Sequence, residues 1–102
     1  MNTFKGLNGT IVLGSTGVSI IRDTMLGTAF HNGGETQIPY SRISKVVMVP
    51  GSLTNGYLCI VETGYGSPGS IFSALKDENT VIFRMTKNVP ARKMKRLIEA
   101  KI

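Results

Sequence analysis

Short apolar runs rich in β-branched residues, bounded by Gly, Pro, Asn and Ser, fill the chain as far as residue 84. Such runs read as strands and the residues between them as turns. Ile11-Val12-Leu13 and Val18-Ser19-Ile20-Ile21 flank Gly14-Ser15-Thr16-Gly17, which predicts a hairpin. His31-Asn32-Gly33-Gly34 reads as a turn, and Thr36–Tyr40 as a short strand. Pro39 has no amide donor and so belongs at a strand end or edge. Ile43–Val49 predicts a strand stopped by Pro50-Gly51. Leu53–Gly56 then turns the chain into Tyr57–Glu62, with Asn55 and Gly56 expected to supply positive φ. Gly64–Ser70 reads as a loop, Lys76–Asn79 as a turn and Thr80–Arg84 as the last strand.

Two of these strands do not alternate. Val46 to Val49 are all apolar, and so are Tyr57 to Val61. An antiparallel strand with one wet face alternates apolar with polar, so these two are expected to bury part of both faces. Val46, Met48, Leu58 and Ile60 share one parity, and Val47, Val49, Tyr57 and Cys59 the other. One set lines the core. The other needs cover from a loop, from the final helix or from another copy of the chain. Val47, Val49, Tyr57 and Cys59 are therefore the candidate interface residues, with an unidentified protein or a second copy as partner.

After residue 88 the period changes from strand to helix. Asn88 is a candidate cap, and Pro90 suits a first turn, where its missing N–H costs nothing. At about 100° per residue, Ala91, Met94, Leu97 and Ile98 share one face, and Arg92, Lys95, Arg96 and Glu99 the other. A helix over about 89–101 with a basic outer face follows. The formal charge of +6 changes the picture here. Residues 87–102 hold six Lys and Arg against one Glu, while residues 1–86 hold six against five Asp and Glu. Arg92, Lys95 and Arg96 are thus the candidate anion-binding residues, and acidic lipid or nucleic acid, weakly held, the candidate ligands.

Composition bounds the rest. A chain of 102 residues with 41% apolar and 18% charged residues makes one small domain, spanning 1–102, rather than a disordered segment. No apolar run approaches the about 18 residues of a membrane span. The first residues, Met1 to Gly6, lack the apolar centre of a signal peptide, so a cytoplasmic location is expected. Cys59 is the one cysteine and sits in an apolar run, which reads as a buried small hydrophobe. His31 is the one histidine, expected to be solvated in a Gly-rich turn. Gly64-Tyr65-Gly66-Ser67-Pro68-Gly69 has the G-x-G-x-x-G spacing, but Pro68 interrupts it and no acidic residue follows about 20 positions on. Asp77-Glu78 read as solvated turn residues. No catalytic residue, cofactor site or metal site is expected, and an enzyme is disfavoured.

Asn8-Gly9-Thr10-Ile11, Ile38-Pro39-Tyr40-Ser41-Arg42-Ile43, Pro50-Gly51-Ser52-Leu53-Thr54-Asn55-Gly56-Tyr57 and Lys76-Asp77-Glu78-Asn79-Thr80-Val81-Ile82-Phe83 also carry a resemblance. They look like bacterial and phage pleckstrin-homology-like (PH-like) domains of the type found ahead of short C-terminal helical modules. The resemblance runs over nearly the whole chain, though each motif is a turn plus a strand. It implies a mainly β fold: a strongly bent antiparallel barrel of about six or seven strands, over about 9–84, capped by the C-terminal helix. It implies a non-catalytic binding or assembly role and carries over no catalytic residue.

Overall fold

The Gly-rich connection at residues 14–17 folds as the pattern predicts. In a computed structural model describing residues 2–31 and 33–102, β2 (Thr10–Leu13) and β3 (Gly17–Ile21) form an antiparallel hairpin. Ile11 lies opposite Ile20, and both are buried. A three-residue strand absent from the sequence reading, β1 (Thr3–Lys5), joins the far side of β2 and brings Phe4 into the core. β4 (Glu35–Pro39) pairs with β3 and ends on Pro39, giving the order β1-β2-β3-β4. Asn32, part of the turn expected before β4, lies outside the described residues.

The second sheet has the order β5-β6-β7, from β5 (Ile43–Val49), β6 (Gly56–Glu62) and β7 (Thr80–Phe83). The role expected of Gly56 is corrected. Among the described glycines only Gly33 and Gly64 have positive φ. Gly56 is needed for space, because a Cβ there would collide with the Val49 carbonyl oxygen.

The strands do not close into a barrel. Between β4 and β5 the chain makes a 3₁₀ turn at Tyr40–Arg42. On the other side, Leu7 N–H donates to Ile82 O (2.8 Å), and Ile82 N–H donates to the side-chain oxygen of Asn8 (2.9 Å). Asn8 thus accepts the N–H that a neighbouring strand would have taken. The reason is local: the chain has already left β1 for a turn closed by Gly6 N–H on Gly9 O (2.8 Å).

One core nonetheless joins the two sheets and the last helix. Phe4, Ile11 and Ile38 of the first sheet meet Val46, Leu58 and Phe83 of the second. The rings of Phe4 and Phe83 stand edge to face, with centroids 5.5 Å apart. α3 (Asn88–Glu99) closes this core with Ala91, Met94 and Ile98. Leu97, expected beside Ile98, is only half-buried.

Two short helices absent from the sequence reading follow β3 and β6. α1 (Met25–His31) starts where Thr24 Oγ1 accepts from Gly27 N (3.0 Å). α2 (Ile71–Lys76) starts where Ser70 Oγ accepts from Ser73 N (3.2 Å). They cover the outer face of the second sheet. Tyr57, Cys59, Val61 and Ile82 are buried there with Ala74 of α2, flanked by half-buried Leu26, Val47, Ile71 and Leu75. The chain therefore supplies its own cover for much of the second apolar set. His31 is correspondingly half-buried, with Nε2 3.0 Å from Leu75 O, rather than solvated.

β3 runs into Arg22, whose side chain is 2% exposed. Its Nη1 donates to Asn8 O (3.1 Å) and Thr80 O (2.9 Å), and its Nη2 to Asp77 O (3.0 Å) and Glu78 O (2.8 Å). One guanidinium thus ties the first sheet to the turn that launches β7. Burial lowers its pKa from the ordinary value, and the charges of Asp77 and Glu78 oppose that. Asp77 is half-buried, contrary to the solvated reading: its Oδ2 accepts from Thr80 Oγ1 (2.6 Å) and Asn79 N (3.1 Å).

Candidate anion-binding groove

Burying Ala91, Met94 and Ile98 decides where the charges of α3 go. With that stripe on the core, Arg92, Lys95, Arg96 and Glu99 fall at i, i+3, i+4 and i+7, a single neighbouring stripe. Met48 and Pro50, at the end of β5, lie against this stripe. The result is an open groove of about 420 Å³ lined by these six side chains. The three candidate anion-binding residues are brought together in it.

Lys95 Nζ is 2.9 Å from Glu99 Oε2, an i,i+4 pair at the surface. Among the described residues no carboxylate lies within ion-pair distance of Arg92 or Arg96. Two exposed guanidiniums in one groove are therefore uncommitted, and each presents a planar donor fork suited to phosphate or carboxylate. Lys101 points elsewhere, with its Nζ 5.8 Å from the centroid of the Tyr40 ring.

The groove has a fixed wall. Asn88 does not cap α3: its side chain donates to Gly51 O (3.0 Å) and accepts from Gly51 N (2.8 Å). A 3₁₀ turn at Met85–Lys87 runs straight into α3, and the Asn88 N–H is satisfied by Met85 O. The helix start thus needs no side-chain cap, and the Asn88 amide is free to lock the β5–β6 turn onto α3. Neither this lock nor Arg22 was legible in the sequence, since each joins residues far apart in the chain.

The candidate interface residues sit differently. Tyr57 and Cys59 are buried under α2, and Tyr57 OH donates to Pro68 O (3.0 Å), pinning the 64–70 loop. Val47 is half-buried beside them, and Val49 is 37% exposed. Burial pushes the Cys59 thiol up from its usual pKa, which disfavours the reactive thiolate. A concavity of about 410 Å³ beside it is lined by Glu62, Asp77 and Glu78, with Tyr65 and Gly66 of the G-x-G-x-x-G segment. Three carboxylates against one lysine, Lys76, leave the lining net acidic, which opposes a phosphate. The helix that follows, α2, has only six residues and gives no extended dipole.

The class defined by these features is a mainly β globule of two antiparallel sheets with a C-terminal helix. No protein-family model, curated protein or solved structure matches the chain. Among the described residues, no helix is long and apolar enough to cross a membrane.

Proposed function

We propose that this chain is a small, non-catalytic PH-like module, working in the cytoplasm, whose α3 side docks onto an acidic surface. Four strands, then three, then a helix against the shared core support the PH-like reading, and the open ladders are its departure from a barrel. The observation that carries the docking is charge segregation. Residues 79–98 hold six Lys and Arg and no Asp or Glu, while the rest of the chain holds six of each. The stretch from β7 to the end of α3 thus carries +5 of the net charge of +6, six Lys and Arg against Glu99. A field concentrated on one side steers and holds an anionic partner, and salt weakens it.

Retention on a heparin column tests this. The wild-type protein is expected to elute at distinctly higher salt than Arg92→Glu/Lys95→Glu/Arg96→Glu, with the same circular dichroism. Equal elution would overturn the reading.

A second reading is protein–protein contact, including self-association. Val49, the open member of the candidate interface set, favours it. The geometry gives it less, because α2 covers Tyr57 and Cys59.

A further inference from the structure

Gly64, Gly66 and Gly69 punctuate the segment that leads into α2, and a Cβ on any of the three would meet nothing within 4 Å. No neighbour packs on the backbone at these points, so the segment is slack. α2 itself is too short to keep its helix in water unaided. Among its described side chains only Ala74, the smallest, is fully buried, while Ile71 and Leu75 are half-buried.

Polar contacts at two points hold this cover down. Tyr57 OH donates to Pro68 O (3.0 Å). At the other end of α2, Leu75 O accepts from Asn8 Nδ2 at 3.4 Å and lies 3.0 Å from His31 Nε2. The Ser70 cap belongs to α2 and travels with it. The turn that follows is fixed instead. Arg22 holds the carbonyls of Asp77, Glu78 and Thr80, and Asp77 Oδ2 holds Thr80 Oγ1. One end of α2 is slack and the other is clamped, which is how a hinged strap is built.

The sheet beneath does not need the strap to stay together. β6 is paired on both sides, by β5 and β7, and α3 seals the opposite face. Lifting α2 breaks no ladder and leaves Phe4, Leu58 and Phe83 packed. A unit with few buried contacts opens at a lower free energy than the whole domain.

We propose that α2 and residues 64–70 form a strap that lifts from the second sheet, pivoting at Asp77, while both sheets and α3 stay folded. Lifting bares the apolar face of Tyr57, Cys59, Val61 and Ile82. The α3 groove keeps its place in the open form, so the strap is independent of the acidic-surface reading.

Cys59 is the one cysteine and is buried under the strap, so its alkylation by iodoacetamide at fixed pH reports the opening. The wild-type rate is expected to stay level across low urea, because lifting α2 exposes little surface. Ile98→Ala weakens the core under α3 and should label at the wild-type rate. Tyr57→Phe keeps the ring and loses the bond to Pro68, so labelling should quicken about fivefold, the factor set by one net hydrogen bond. Gly66→Ala/Gly69→Ala meets no neighbour and narrows the freedom of the slack segment, so labelling should slow several-fold. If Ile98→Ala labels about thirtyfold faster or more, the factor set by its lost core packing, the thiol is reached only by whole-domain unfolding and the strap is overturned. A rate that climbs with urea as steeply as global unfolding does would overturn it equally. Labelling of Tyr57→Phe and Gly66→Ala/Gly69→Ala at the wild-type rate would also overturn it, by showing that the thiol is reached with α2 in place.

Discussion

Arg22 shows how much one side chain carries. Its four carbonyl acceptors belong to residues 8, 77, 78 and 80, so the guanidinium ties the end of the β2–β3 hairpin to the turn before β7, which belongs to the other sheet. A buried acceptor left without a donor costs about 1–3 kcal/mol. Arg22→Met removes a donor from all four, with Asp77 O keeping Thr80 N at 3.4 Å, and is expected to lower stability by about 3 kcal/mol or more. Arg22→Lys, with fewer donors and no planar fork, should recover part of that. Urea unfolding measures both, and a loss under about 1 kcal/mol for Arg22→Met would show that water or rearrangement replaces the clamp.

Cys59 gives a prediction in pH. Its folded pKa is raised, so the folded state keeps the proton where the unfolded chain has released it. Stability contributed by the protonated thiol is present below the unfolded pKa and falls as pH rises past about 8.5. Cys59→Val should flatten the alkaline decline in melting temperature. An unchanged decline would mean other groups cause it.

At the scale of elements, α3 and α2 do opposite jobs on the second sheet. α3 seals the inner core, and α2 covers the outer face. Ile98 is fully buried and Leu97 half-buried, although helical spacing places them side by side. Ile98→Ala is expected to cost about 2–5 kcal/mol, the range for large-to-small core changes. Leu97→Ala should cost clearly less, because much of its side chain already meets water. Equal losses in urea unfolding would mean that α3 is rotated about its axis from the arrangement described. α2 has six residues, far below the about 12–15 that hold a helix in water unaided. Its existence depends on Ala74 packing over Cys59 and Ile82.

The whole molecule is polarised. The stretch from β7 to the end of α3 carries +5 of the net charge of +6, and the outer face of the second sheet is covered by the chain itself. Self-association through Tyr57 and Cys59 would require α2 to leave. Sedimentation is therefore expected to give the monomer mass of 11.0 kDa at every concentration up to high micromolar. A dimer that appears with concentration and is abolished by Val49→Asp would instead favour the second functional reading.

The sequence by itself determined what depends on neighbours in the chain. β-Branched runs between Gly and Pro placed six of the seven strands, and the end of β5 follows directly from Pro50. The 3.6-residue period placed α3, and the tally of Lys, Arg, Asp and Glu located the charge near the C-terminus. The candidate anion-binding residues were legible for the same reason, since positions i, i+3 and i+4 of a helix must share a side. Tertiary structure alone decided the rest. β1 is too short to show a period, and α1 and α2 form only where an apolar sheet face awaits them. Whether Tyr57 and Cys59 faced a partner or their own chain turned on α2. The use of Asn88 as a lock rather than a cap turned on Gly51, 37 residues away. Local pattern sets which backbone states are cheap, whereas burial and hydrogen-bond pairing between distant residues choose among them, and those distances exist only once the chain has folded.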